Sequence, residues 1–489
     1  MQETDLITIL KTFNQDELKE FGKLISSQFF NKGRNLLPYY NEILKILNHY
    51  DYSTHNQEYF HKKIYHSKPY NAKAKAYINK LNSELLKLTD FYFIYKFHAL
   101  YPIKSKIAVY EILELKKLST YSLKKINKSK KQIAIEFDTE NFYCNQLLLN
   151  SYEASAFMLI NRLKEYCNLF EERPLLITAN FLVNFWESII HEAGLLYQFN
   201  YEIKSINNLK KIINPETERK FIEILKNSNI PGFNNAIVFY NISLAYRELG
   251  NENLLNNAMN SVLNNLSNFE LKTKFNLLLY IEGLIIFAEK ILGKSWNSYR
   301  YKIIKTMIKN KILSHTENHI HYITYVNIIK FLINISQYSD AEHFINHYTN
   351  FLDLSLRNNN KNMALAWVNL AKKKFEKALE YNSKVISENF NQSTPTKIIE
   401  LICFYELKDY NQALNACNRL KKYLSENKTI NYETTKQYKN FINAINLLIE
   451  LHFTPSNKNK KQKLDYLVNS NQPLYQRNWI KEKFEELNK

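Results

Sequence analysis

Near the C-terminus the chain repeats one short signature three times: Tyr338-x-x-Ala341, Phe375-x-x-Ala378-Leu379 and Tyr410-x-x-Ala413-Leu414, with the alanines 37 and then 35 residues apart. A period of about 35 residues is one helix pair per repeat, and such pairs bury their apolar faces only by stacking on their neighbours. The expected fold is all-α: an α-solenoid of stacked antiparallel helix pairs, with an N-terminal helical domain. The small alanine suits a place where the second helix of a pair crosses its partner closely, and the aromatic fills the space between them.

Residue usage supports this class. Only 7 Gly and 9 Pro occur in 489 residues, so the backbone is expected to need positive φ rarely. The punctuation divides the chain into an N-terminal helical domain (1–100), a helical middle region (101–230), the repeat array (231–450) and a C-terminal loop with a capping helix (451–489). Asn14 with Glu17 predicts a capping box opening a helix near residue 15, with Phe13 and Leu18 placed for a hydrophobic staple. A loop is expected over 26–35, around Gly33. Tyr77, Leu81, Leu85, Leu88, Tyr92 and Tyr95 recur at helical steps, predicting a helix of about thirty residues that ends at Leu100, before Pro102. At least three more helices fit between Pro102 and Pro174. Near the end, a polar loop is expected over 454–463. Leu474, Trp479 and Phe484 then mark one face of a terminal helix that closes the exposed end of a stack.

The formal charge is +19, which raises the possibility of a nucleic-acid partner, since neutralised phosphates release counterions. Only nine of the 66 basic residues are Arg, and Lys lacks the planar fork that reads phosphate and guanine in bidentate fashion. The densest basic run, Lys124, Lys125, Lys128, Lys130 and Lys131, lies opposite Leu123 and Ile126, as a solvated helix face does. Lys302, Lys305 and Lys309 are placed in the same way. The four cysteines are widely spaced with no C-x-x-C, which suits a reduced compartment and, for Cys403 and Cys417, core packing. The acidic N-terminus lacks the pattern of an export signal. The window Leu277–Leu292 is interrupted by Glu282, Glu289 and Lys290, so a buried helix is expected and no membrane span. Cytoplasmic location follows as an expectation.

Phe239, Ile242, Tyr246, Gly250 and Asn251, followed by the three aromatic-alanine signatures, resemble tetratricopeptide-like helical repeat proteins over residues 231–425. The proline that often closes a unit of that family is replaced by Asp353, Phe390 and Ser425, and Ile329 and Leu401 stand where a small residue is usual. The chain as a whole is similar to a group of large helical proteins of Bacteroidota, through FFNKGRNLL (29–37), YELKDYNQAL (405–414) and RNWIKEKFEEL (477–487). These resemblances imply architecture and no activity.

The sequence holds no phosphate-cradling loop, dinucleotide fingerprint or nucleophile elbow, because no two glycines lie closer than ten residues apart. His343 and His347 are one turn apart, with His315, His319 and His321 upstream, yet neither a paired Cys nor an acidic ligand accompanies them. No enzyme activity, cofactor or metal is expected. What remains is recognition: a scaffold or adaptor holding a protein or peptide partner through a concave face, with a basic protein associating with RNA or DNA as the alternative. By the resemblance, Asn327, Lys330 and Asn334 on the first helix of one unit face that groove and bind the partner. Trp367 in the next unit is expected in the core, where buried aromatic area is the commoner use of Trp.

Overall fold

The computed structural model describes residues 4–31, 36–47, 57–65, 69–100, 102–133, 137, 141–199, 201–386, 390–426 and 432–487. Gly33 and its neighbours 32–35 lie outside the described residues. All regular structure among the described residues is helical, apart from an isolated bridge between Phe137 and Phe269. The chain divides into two compact units: Met1–Ile135 with Glu140–Asn180, and Glu136–Thr139 with Phe181–Lys489.

The first unit contains α1 (Asp5–Thr12), α2 (Gln15–Ser26), α3 (Leu36–Leu47), α4 (Gln57–Ile64), α5 (Ala72–Leu100), α6 (Pro102–Leu115), α7 (Ser119–Ile133), α8 (Phe142–Leu159) and the first part of α9 (Leu163–Phe199). The capping box is present at the start of α2. Asn14 Oδ1 accepts from the N–H of Asp16 and of Glu17, and Glu17 Oε2 accepts from the Asn14 N–H, all at 2.9 Å. The long helix α5 ends at Leu100, and α6 opens at Pro102, where a missing N–H costs nothing. Ile78, Leu81, Leu85, Leu88 and Tyr92 bury one stripe of α5 against Leu6, Phe21, Tyr40 and Phe60. Tyrosine hydroxyls in this core find acceptors: Tyr39 donates to Asn82 Oδ1 (2.7 Å), Tyr40 to the Leu18 carbonyl (2.8 Å) and Tyr92 to Glu20 Oε2 (2.9 Å). The Tyr92 hydroxyl, aided by Lys96, holds the Glu20 carboxyl below the usual carboxylate range. Pro174 lies inside α9 and does not end it, although it removes one backbone donor.

The second unit continues from α9 with α10 (Lys204–Ile212), α11 (Pro215–Asn227), α12 (Phe233–Arg247), α13 (Glu252–Asn265), α14 (Leu271–Leu292) and α15 (Asn297–Lys309). It goes on through α16 (Tyr322–Asn334), α17 (Tyr338–Tyr348), α18 (Leu354–Ala371), α19 (Phe375–Ser383), α20 (Phe390–Glu406) and α21 (Tyr410–Glu426). Last come α22 (Tyr432–Phe453), α23 (Lys458–Asn469) and α24 (Arg477–Glu486). Successive helices from α16 to α23 pack on one another, and α18 also meets α16 and α20. No helix is long and apolar enough to cross a membrane among the described residues. The apolar window 277–292 sits within α14, where Leu277, Leu278, Ile281, Leu284 and Ile285 are buried. Its Gly283 is required: a Cβ there would stand 2.8 Å from the hydroxyl of Tyr246, which crosses from α12 to donate to the Tyr280 carbonyl.

The aromatic-alanine signatures occupy one register. Tyr338, Phe375 and Tyr410 are the first residues of α17, α19 and α21. Ala341, Ala378 and Ala413 are fully buried. Each helix joint before them is closed by the same pair of bonds. At the first joint the N–H of Ser336 reaches the Ile333 carbonyl and that of Gln337 reaches Leu332, and the same pattern recurs at Lys373 with Lys374 and at Lys408 with Asp409. This is the Schellman arrangement, whose pivot residue must take left-handed φ. Here the pivots are Ser336 (φ 60°), Lys373 (58°) and Lys408 (60°). Lys117 and Asn161 make the same turn in the first unit.

Two expectations are corrected here. Scarcity of glycine does not mean scarcity of positive φ: nine non-glycine residues adopt it among the described residues. Backbone hydrogen bonds at helix ends compensate a strain of about 1–2 kcal/mol that glycine would avoid. The loop expected over 454–463 is also shorter, because Asn457 caps α23 by accepting from the Lys460 N–H (3.1 Å), and Leu464 and Val468 anchor that helix in the core.

Candidate functional site

Within the second unit, α16, α18 and α20 contribute to one wall of a cavity of about 450 Å³. Lys330, Ile333 and Asn334 come from α16, Trp367, Leu370 and Ala371 from α18, and Ile402 and Glu406 from α20. Lys373 enters from the joint between α18 and α19, Phe375 from the first position of α19, and Tyr475, Gln476 and Trp479 from the segment that opens α24.

The polar groups of this wall differ in how far they are already satisfied. Glu406 is fully engaged: one oxygen accepts from Trp479 Nε1 (2.6 Å) and the other faces Lys483 Nζ (3.1 Å). Lys483 is buried, which disfavours its charge, but hydrogen bonds with Glu486 and Glu406 outweigh that and raise its pKa. Lys373 Nζ meets Glu482 Oε1 of α24 at 3.0 Å, an exposed pair of small energetic weight. Lys330 differs. Its ammonium lies 5.0 Å from the centre of the Trp367 ring and pairs with no carboxylate among the described residues. Lys330 is itself exposed, and the walls on one part of its side chain desolvate the ammonium enough to lower its pKa, so an anion beside it would be favoured. Asn334, one turn along the same helix face, is exposed.

Of the three residues expected to bind a partner, Lys330 and Asn334 line the cavity, whereas Asn327, exposed one turn earlier, does not. Trp367 is half-buried: it packs on the core formed by Ala366, Ala378, Ile399 and Cys403 and also faces the cavity. Tyr475 and Trp479 were not anticipated at this wall. Trp479 also packs edge-on against Tyr405, with ring centres 5.3 Å apart. The only sequence signal for its placement was the apolar face of its helix, which leaves the docking partner unspecified.

The other candidates are placed as follows. On α7, Lys124, Lys125, Lys128 and Lys131 are exposed around buried Leu123 and Ile126, while Lys130 pairs with Glu153. Lys302, Lys305 and Lys309 are likewise exposed along α15. His343 and His347 stack with ring centres 3.9 Å apart, His315 bonds Asn276 Oδ1 (3.0 Å) and His319 faces Asp353 (3.4 Å). No group of three or more metal-ligating side chains forms among the described residues. Cys403 and Cys417 are buried, and burial pushes both thiols up to about 12, whereas Cys144 and Cys167 are exposed.

Comparison of the chain with protein-family models, with curated proteins and with solved structures finds no match.

Proposed function

We propose that the protein is a non-catalytic scaffold or adaptor that holds another protein on the inner face of a tetratricopeptide-like α-solenoid, and that it works in the cytoplasm. The observation that carries this reading is the cavity wall, to which the first helices of three successive pairs, α16, α18 and α20, all contribute. Helix pairs stacked in one register present their first helices to a common side, and such a surface suits an extended peptide or a partner helix. The matching joints at Ser336, Lys373 and Lys408 and the buried alanines support the stacked arrangement.

The test is affinity capture from native lysate with the wild-type chain beside Asn327→Asp/Lys330→Glu. Loss of a defined partner from the charge-reversed protein, with its melting temperature unchanged, supports the reading. Identical recovery with both proteins overturns it. A captured species that is nucleic acid, released steeply as salt rises, favours the alternative of RNA or DNA association.

A further inference from the structure

We propose that the cavity between α16, α18, α20 and α24 is a binding site for a small aromatic monoanion, a carboxylate or sulfonate carried on a planar ring body. The inference stands apart from the scaffold reading, because a small ligand fills this space whether or not a protein docks on the same face.

Three features argue for it. The first is size: about 450 Å³ lies within the range of small-molecule sites, and the half-open space is lined from α16, α18, α19, α20 and α24 and the joints beside them. The second is the lining. Trp367, Phe375, Tyr475 and Trp479 surround the space, and Ile333, Leu370 and Ile402 fill between them. Ring bodies gain offset or edge contacts with such walls in addition to buried area. The third is charge. The carboxylate of the wall, Glu406, is satisfied by Trp479 and Lys483, so it does not neutralise Lys330. Lys330, although exposed, lies over the Trp367 face at the cavity with no counter-ion among the described residues, and partial desolvation lowers its pKa. An anion at Lys330 gains a charge-assisted bond and offsets the partial desolvation of the ammonium, and the Asn334 amide can add a second donor. A cation or a neutral polyol gains neither.

The segment that opens α24 is part of the site. Tyr475, Gln476 and Trp479 form one side of it, fixed by the Trp479 bond to Glu406 and by the guanidinium of Arg477, which donates to carbonyls at the end of α23, among them Leu467 (3.1 Å) and Ser470 (2.9 Å). Ligand contacts on both sides of the cavity therefore tie α24 to α16 and α18.

The experiment titrates the full chain with 8-anilinonaphthalene-1-sulfonate and, in parallel, with the neutral isostere N-phenyl-1-naphthylamine. Binding is followed by probe fluorescence and by thermal shift. The sulfonate is expected to bind the wild-type protein about tenfold more tightly than the neutral probe, and Lys330→Met to abolish that margin while leaving the neutral probe unchanged. Asn334→Asp, at an exposed position that does not threaten folding, is expected to weaken the sulfonate alone. Equal affinity for both probes, or a margin that survives Lys330→Met, overturns the proposal. Displacement of the sulfonate by an acidic peptide but not by naphthalene-1-carboxylate also overturns it, in favour of a peptide occupant.

Discussion

Helices α1–α5 of the first unit and the pairs α16–α21 of the second solve the same problem of burying apolar stripes by different means. The first group closes around one long helix, and its large tyrosines each find a separate acceptor, Asn82, the Leu18 carbonyl or Glu20. The second group repeats a small motif: a left-handed joint, an aromatic at the first position of the next helix and a fully buried alanine three residues on. The first means ties stability to individual bonds, and the second ties it to one size limit and one backbone geometry used three times.

The comparison breaks most visibly at the alanines. Ala378→Leu is expected to cost about 1–3 kcal/mol by overpacking the crossing of α18 and α19, seen as a lower urea midpoint and as faster amide exchange in those helices. Unchanged exchange in α18 and α19 would show that the crossing has slack. In the first unit, the matching test is removal of one bond set: Asn14→Ala deletes the capping box of α2 and is expected to cost about 1 kcal/mol, with early fraying of residues 15–18 by hydrogen exchange. Lys408→Gly sharpens the contrast in the opposite direction. Relief of left-handed strain exceeds the added chain entropy, so a gain of about 0.5–1 kcal/mol is expected in the denaturation midpoint. A loss there would mean that the lysine stem contributes packing.

The smallest effect at neutral pH comes from the buried thiols. Cys403 and Cys417 are pushed up to about 12 by burial, so the folded state holds their protons more tightly than the unfolded chain, where a thiol titrates near about 8.5. Their contribution is fully present below that value and declines as pH rises towards 12. Thiol labelling at pH 8 is expected to modify Cys144 and Cys167 in the native protein and all four cysteines in denaturant. Native labelling of Cys417 would show that the α20–α21 pair opens locally.

What the sequence revealed and what it concealed follow from the range over which each signal acts. The capping box at Asn14 and Glu17, the stripe along α5 and the register of the alanines are written in residues a turn or a repeat apart. The left-handed joints were hidden because backbone bonds specify them, and the side chains of Ser336, Lys373 and Lys408 carry no mark of it. The three helices expected between Pro102 and Pro174 are α6, α7 and α8, while the continuation of α9 through Pro174 carries no local mark in the sequence. Asn327, Lys330 and Asn334 were expected on a groove-facing helix by the resemblance alone, and two of them, Lys330 and Asn334, line the cavity. Tyr475 and Trp479 were not expected there, because more than a hundred residues separate them from α16 and only folding brings them together.

The bond from Trp479 to Glu406 spans 73 residues of sequence. During synthesis α16, α18 and α20 emerge well before α24, so the nascent chain passes through a stage in which Glu406 lacks its Trp479 and Lys483 partners. The cavity is thus a late product of translation. Until α24 arrives, the apolar residues that line the cavity from α16, α18 and α20 lack the aromatic side that Tyr475 and Trp479 complete.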